Sequence, residues 1–274
     1  MLLSNETPYQ EYIHMIDTIA SALLQARLDG RQIDCAPLPT MENEAYAIQQ
    51  AIIEASDDTV SGIKIGASNA KTQTILGLNQ PFFGPMFSRD TLIFKDTKHD
   101  LQAPLVAAYP VKVETEFVIG LKSTLTGSAG DISMSQVMNA IDWIAPGLEL
   151  IGSRINNLPE KPGLCAIADG GGNHSVIVGK PERSWKTRDW QTQLTALSIN
   201  GKQVRSGHSG DSIAGSPIGM LHWLLNFDRF AGKQIAAGQF IFCGTCTIPV
   251  MLQAGDQLHA DFGELGELRV ACTG

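Results

Sequence analysis

Two glutamates one residue apart, Glu114 and Glu116, lie inside an apolar run, Val111-Lys-Val-Glu-Thr-Glu-Phe-Val-Ile119. β-Branched and aromatic residues fill the run, and Pro110 and Gly120 bound it, which is the pattern of a strand. Side chains alternate along a strand, so the two carboxylates point to one face. Neighbouring carboxylates on a buried face repel, and one must take up a proton unless a cation sits between them. Glu149 has a similar setting in Gly147-Leu-Glu-Leu-Ile151. Three carboxylates on strand-like segments suggest a hard divalent cation with oxygen ligands, Mg²⁺ or Mn²⁺. The alternative is a solvated strand face carrying ordinary glutamates.

Other residues offer chemistry of their own. Lys64 sits between two isoleucines in Gly62-Ile-Lys-Ile-Gly-Ala-Ser-Asn69, either as a site residue or as a snorkelling edge residue. The run opens into Gly66, Ser68 and Asn69, a turn whose backbone N–H groups can receive an anion. Pro81-Phe-Phe-Gly-Pro85 reads as a rigid apolar turn and pocket wall. Arg154 can bind a carboxylate bidentately or serve as a structural ion-pair partner. Asp169-Gly-Gly-Gly-Asn-His174 lacks the GxGxxG spacing of a dinucleotide site and instead lets a ligand approach the backbone. His208 and Asp211 have no G-x-S-x-G elbow to support a serine triad. Cys243-Gly-Thr-Cys246 has no further ligands for zinc and no following helix for redox chemistry, which leaves small buried thiols.

The elements that must position these residues follow from periodicity. Thr7 and Pro8 suit the start of a helix, Tyr12, Ile16, Ile19 and Leu23 form its stripe, and Gly30 suits its end. A second helix is expected from Thr40, with Met41, Ala45, Ile48 and Ile52 on one side. From Val60 onward, short apolar runs alternate with turn residues. Strands are expected at 60–65, 111–119, 147–152, 174–178, 194–199, 239–243, 248–252, 257–262 and 267–271. Asn200-Gly201 marks a hairpin and Gly255-Asp256 another turn. Helices are expected at about 134–144 and from Ser216-Pro217. The class is α+β, with a helical N-terminal segment at 1–59 and a β-rich catalytic body at 60–274.

Composition narrows the function. The 274 residues suffice for a sizeable core, and 43% hydrophobic content with 18% charged content is that of a folded globule. A net charge of −8 with no basic stripe argues against nucleic-acid and anionic-membrane partners. No run approaches a transmembrane length, and Met1 to Pro8 lacks a basic region followed by an apolar one, so neither a membrane span nor a secretory signal is expected. Five scattered cysteines fit a reducing cytoplasm.

In order along the chain come Ala45-Tyr-Ala-Ile-Gln49, Lys64-Ile-Gly66, Leu76-Gly-Leu78, Phe83-Gly84, Glu114-Thr-Glu116, Ala145-Pro-Gly-Leu-Glu-Leu-Ile-Gly-Ser-Arg154, Gly215-Ser-Pro217 with Trp223-Leu224, and Gly244-Thr-Cys-Thr-Ile-Pro249. This set resembles the 2-keto-4-pentenoate hydratase and 2-oxo-hexenedioate decarboxylase branch of the fumarylacetoacetate hydrolase superfamily, over about Ala20 to Val270. The resemblance implies a mixed β-roll body and a homo-oligomer. It also implies Mg²⁺ or Mn²⁺ at Glu114, Glu116 and Glu149, with Lys64 beside a 2-oxo acid substrate. Ser68, Phe83, Gly172, Asn173 and Thr247 are the further substrate-binding candidates. The metal would act as a Lewis acid on the 2-oxo group and stabilise the enolate formed as a 2-hydroxy-2,4-dienoate ketonises. Water would then add to give a 4-hydroxy-2-oxo acid. The same stabilisation serves decarboxylation of a 2-oxo diacid.

Some positions depart from that branch. Paired acids are expected shortly after the Phe-Gly turn, but Ser88 and Arg89 stand there and Asp90 is displaced by a residue. Ser88, Asp90, Asn173 and His208 are therefore the acid–base candidates, and Arg89 suits a second substrate carboxylate. Gly152 replaces the aspartate usual before Ser-Arg. Asp169-Gly-Gly-Gly-Asn173 replaces an Asp-Asn-Ala-Ser-Ser loop. The metal half of the site is intact and the acid–base half altered, which leaves a hydratase, a decarboxylase, or a divergent member with altered or no hydratase activity.

Overall fold

The computed structural model describes residues 7–94 and 101–274. Residues 1–6, most of the segment on which the leader expectation rests, lie outside them. The chain begins with helices α1 (Pro8–Asp29) and α2 (Glu42–Ala55). Thr7 caps α1 by accepting from the Gln10 N–H, and Gly30 ends it in the left-handed conformation at φ 62°. Then follow β1 (Val60–Gly66), α3 (Ala70–Leu76), β2 (Phe82–Phe87), β3 (Thr91–Ile93), β4 (Leu101–Pro104), β5 (Lys112–Leu121) and β6 (Leu125–Thr126). The middle holds α4 (Met134–Ala140), β7 (Ile141–Ile151), α5 (Gly163–Ala168) and β8 (Asn173–Val178). After β9 (Leu194–Ile199) and β10 (Lys202–His208) come α6 (Pro217–Leu225), β11 (Gln234–Ile235) and β12 (Phe240–Thr245). The short β13 (Val250–Met251), then β14 (Gln257–Asp261) and β15 (Glu267–Thr273), complete the chain.

The large sheet runs β2-β1-β12-β5-β7-β8-β3, with β13 also pairing β5. A five-stranded sheet, β10-β9-β14-β15-β4, packs beside it. One apolar core joins the two sheets to the N-terminal helices, from Ile16, Leu23 and Ile48 to Phe117, Phe262 and Val270. A second cluster of Met86, Val118, Val176, Phe240 and Phe242 covers part of one face of the large sheet. Among the described residues no helix is long and apolar enough to cross a membrane.

Two elements differ from the sequence reading. The helix expected at about 134–144 stops at Ala140, and Ile141 already takes an extended ψ of 128°. Ile141, Trp143 and Ile144 continue the helical spacing, but their pairing with β5 opposite Leu121, Gly120 and Ile119 decides the conformation. The segment read as a rigid turn at Pro81–Pro85 is mostly strand, because β2 pairs antiparallel with β1 throughout.

Candidate active site

Register places the carboxylates. Glu114 stands opposite Glu149 in the β5–β7 pair, and Glu116 stands opposite Gly147. Cross-strand partners share a face, so all three glutamates project from one side of the sheet. Lys64 reaches the same side from β1, through Phe242 on β12 and Val118 on β5. Ligand oxygens of Glu114, Glu116 and Glu149 lie within 4.8 Å of one another. Glu116 and Glu149 are 0% exposed, and Lys64 is 4% exposed.

Lys64, Glu116 and Glu149 each make a hydrogen bond here, and two buried carboxylate oxygens make none. Lys64 Nζ donates to Glu149 Oε1 at 2.6 Å and to the Gly171 carbonyl at 3.3 Å. The Gly244 N–H donates to Glu116 Oε2 at 2.8 Å. Glu116 Oε1 and Glu149 Oε2 are buried with no partner. Burial, and then the neighbouring Glu149, push the Glu114 carboxyl up to about 8. Burial, then Glu149 and Glu114, hold Glu116 well above the ordinary carboxylate range. Burial alone would lower Lys64, but the three carboxylates override it and raise its pKa.

These residues fit a divalent cation. Three carboxylates against one ammonium leave two negative charges, which one divalent ion cancels. The donor set is all oxygen, as a hard cation requires, and two of its oxygens are unpartnered.

The remaining candidates divide into those beside this centre and those away from it. Ser68 is 1% exposed, and its hydroxyl is unpartnered. A Cβ on Gly244 would come within 2.3 Å of Ser68 Oγ, so this glycine admits the serine next to the residue that binds Glu116. The glycine that touches Lys64 is Gly171, whose Cβ position lies 3.0 Å from Nζ, while Gly172 faces Ser153 and Ile151. Thr247 is buried and its hydroxyl accepts from the Thr115 N–H at 3.1 Å, which ties the loop after β12 to the strand bearing the glutamates.

Phe83 lies on the far face of β2. It stacks on Tyr46 with centroids 4.5 Å apart and meets Phe230 edge-on. Phe82 faces Lys64, with Nζ 6.0 Å from its ring centroid. The adjacent-residue shift follows from the strand period, which a turn reading of this segment conceals.

Ser88 is exposed and bonds to the Thr59 hydroxyl and carbonyl. Thr59 precedes Lys64 by five residues along β1, about 16 Å of extended chain. Asp90 is paired with Arg27. Arg89 is bound to Asp57 and Asp58 at the surface. Asn173 spends its amide on the Pro85 and Gly170 carbonyls and its Oδ1 on Arg27. The structure therefore brings neither Ser88, Asp90, Arg89 nor the Asn173 amide to the carboxylates.

Arg154 is a structural ion-pair partner: its Nε donates to Asp169 Oδ1 at 2.8 Å, and its other donors reach the Gly152, Asn173 and Asp169 carbonyls. At Gly152, a Cβ would meet Tyr109 Cε2 at 2.5 Å, so a tyrosine ring fills the space of a side chain. Cys243 and Cys246 are buried free thiols.

Comparison with known proteins agrees with this geometry. The family model for the fumarylacetoacetate (FAA) hydrolase C-terminal region matches residues 67–272. The chain is 30% identical over 258 residues to a 2-keto-4-pentenoate hydratase of Paraburkholderia xenovorans (strain LB400), covering 91% of this chain and 92% of that one. It is 29% identical over 266 residues to a 2-oxo-hept-4-ene-1,7-dioate hydratase of Escherichia coli, covering 93% and 97%. Among solved structures, 4-oxalocrotonate decarboxylase from Pseudomonas putida G7, complexed with magnesium and adipate, has a TM-score of 0.83 at 22% identity, covering 94% of this chain and 97% of that one. The mixed β-roll architecture, the buried carboxylate triad and these matches place the chain in the fumarylacetoacetate hydrolase family.

Proposed function

We propose that the chain is a divalent-metal-dependent lyase that hydrates a 2-hydroxy-2,4-dienoate to a 4-hydroxy-2-oxo acid. The observation that carries this reading is the buried, undercompensated triad of Glu114, Glu116 and Glu149 beside Lys64. Relatives named as hydratases support it over nearly the whole length of the chain. Mg²⁺ or Mn²⁺ held by the three glutamates supplies Lewis-acid polarisation of the substrate's 2-oxo group.

The chain's own residues do the rest. Lys64 has three N–H groups and commits two, to Glu149 and the Gly171 carbonyl, so one remains for the substrate carboxylate. In the metal-free protein burial lowers the Lys64 pKa, but the three carboxylates outweigh it and raise it, favouring the ammonium. The unpartnered Ser68 hydroxyl is a second donor for the same carboxylate. Phe82 covers the ammonium and keeps water from it, which strengthens the charge interaction. The Gly244 N–H orients Glu116 and leaves its Oε1 directed to the centre.

The diacid decarboxylase alternative has the support of a 4-oxalocrotonate decarboxylase relative, while Arg89, which suits a second substrate carboxylate, is paired at the surface with Asp57 and Asp58. In the same proposal the protein works in a reducing cytoplasm, consistent with its five free cysteines, and assembles from identical subunits. Exposed Ile75, Ile213, Ile248 and Met251 are consistent with such an assembly.

The test is turnover of 2-hydroxypenta-2,4-dienoate, followed by loss of dienol absorbance. Activity should vanish in excess chelator and return with Mg²⁺ or Mn²⁺. Full activity in chelator would overturn the proposal, and carbon dioxide release from a 2-oxo-hexenedioate would identify a decarboxylase instead.

A further inference from the structure

A cavity of about 300 Å³ lies between α3 and the loop joining β12 to β13, with Ile75, Asp211, Thr245 and Ile248 among its walls. Thr245 links this cavity to the carboxylate centre. It stands opposite Glu116 in the β12–β5 register, and its hydroxyl lies against Glu114. The tail of a 2-oxo acid held at the centre has this cavity beside it, and the cavity contains a carboxylate that nothing above uses.

The segment bearing Asp211 is fixed at two points. A Cβ on Gly207 would sit 1.7 Å from the Cys246 carbonyl oxygen, so the backbone there lies directly on the β12 loop. The Ile213 N–H donates to the Ser68 carbonyl at 2.8 Å, which fastens the segment to the turn following Lys64. Between these points, the Gly210 N–H donates to His208 Nδ1 at 3.1 Å. Nδ1 is thereby an acceptor, Nε2 carries the proton, and Nε2 lies 3.0 Å from Asp211 Oδ1. Both ring nitrogens are thus occupied, and the histidine has no lone pair to offer a substrate. Asp211 does: its Oδ2 has only a long contact, 3.4 Å, from the His208 backbone N–H. The cavity's free proton acceptor is the aspartate, and the histidine orients it.

We propose that Asp211 is the catalytic base of the hydration step and that His208 is its positioning residue. This rests on the hydratase reading above. After the dienol has ketonised, with a proton added at C5, the substrate is a 2-oxo-3-enoate. Asp211 accepts a proton from water as the water oxygen bonds to C4. The C3–C4 π pair moves into the C2–C3 bond as the 2-oxo group takes the negative charge. C3 then receives one proton from solvent as the 2-oxo group re-forms, and Asp211 releases to solvent the proton it accepted. The net change is addition of one water across C3 and C4, with no oxidant or reductant. A carboxylate in this cavity stands in for the acids absent after the Phe-Gly turn.

Two measurements separate this role from that of the metal centre. Deuterium exchange at C3 of 2-oxopentanoate, with Mg²⁺ present, reads the carboxylates and Lys64 alone. Hydration of 2-hydroxypenta-2,4-dienoate reads both halves. Asp211→Asn should lower hydration kcat about 100-fold or more and leave exchange unchanged. His208→Gln should lower kcat about 10-fold at unchanged KM, with exchange again unchanged. Wild-type hydration by Asp211→Asn would overturn the assignment. So would loss of hydration and exchange together, since the aspartate would then be a support of the fold. Absence of exchange in the wild-type protein would overturn the metal-lyase reading, and the Asp211 assignment with it.

Discussion

The molecule buries two groups of charges, and they are built on opposite principles. In one, Arg27 and Arg154 meet Asp90 and Asp169, so the formal charges balance. Asp169 also accepts from the Arg154 backbone N–H and the Ser153 hydroxyl, and Asn173 accepts from both arginines. No fully buried side-chain atom of that group is without a partner among the described residues. In the other, three glutamates meet one lysine, the charges do not balance, and two carboxylate oxygens are unpartnered. A saturated, neutral network fixes geometry. An unsaturated, charged one costs stability and is explained by something it binds.

The largest effect expected from this contrast is on the unsaturated side. Glu116→Gln should abolish Mn²⁺ binding in calorimetric titration and lower turnover by at least about 1,000-fold. Retained binding would erase the distinction. On the saturated side, Arg154→Met should cost about 3–5 kcal/mol in denaturant unfolding, because Asp169 is left buried without its cation. If that protein folds, it should bind Mn²⁺ with unchanged stoichiometry.

Glu114→Gln should do the reverse to the metal-free protein, raising its stability by about 1–3 kcal/mol near pH 8, since a carboxyl pushed up to about 8 is costly to ionise in place. The same variant should lose the stabilisation that Mg²⁺ gives the wild type. A Glu114→Gln protein less stable than metal-free wild type would count against the charge imbalance.

The smallest effect concerns His174, whose pKa burial holds below 6.5. The unfolded chain then binds more protons than the folded one between that depressed value and 6.5. Stability should therefore rise with pH across that window and fall on acidification, by about 1 kcal/mol or less. Thermal unfolding of His174→Gln should show a flatter slope there.

The carboxylate centre is legible in the sequence because its signal is local. Glu114 and Glu116 share a face by strand period alone, and an apolar context marks that face as buried. That Glu149 lies opposite Glu114 is a fact of pairing, visible only once β5 and β7 are adjacent. The helices at Pro8–Asp29 and Pro217–Leu225 were equally legible, since their caps and stripes are written in neighbouring residues.

What the sequence obscured depends on distant partners. Pro81, Gly84 and Pro85 disguise β2, and with the strand went the choice between Phe82 and Phe83. Asp90 resembles a catalytic acid until Arg27, on the first helix, is seen to hold it. Asp211 stands three residues after His208, a spacing that raises a serine triad and not a base for this centre. Only the contacts of Gly207 with Cys246 and of Ile213 with Ser68 bring it near the centre.

The tyrosine ring in the place of a side chain at Gly152 bears on how this site can change. An aspartate introduced at 152 has nowhere to go while Tyr109 remains, for its first carbon already lies 2.5 Å from the ring. Shrinking Tyr109 by itself opens a void beside His174, its hydrogen-bond partner. Each single step is harmful, and only the pair of changes is tolerable, so the two positions are coupled and their costs do not add. The route back to an acid at this position therefore runs through a double substitution, and single-site libraries will record Gly152 as immutable when it is only locked.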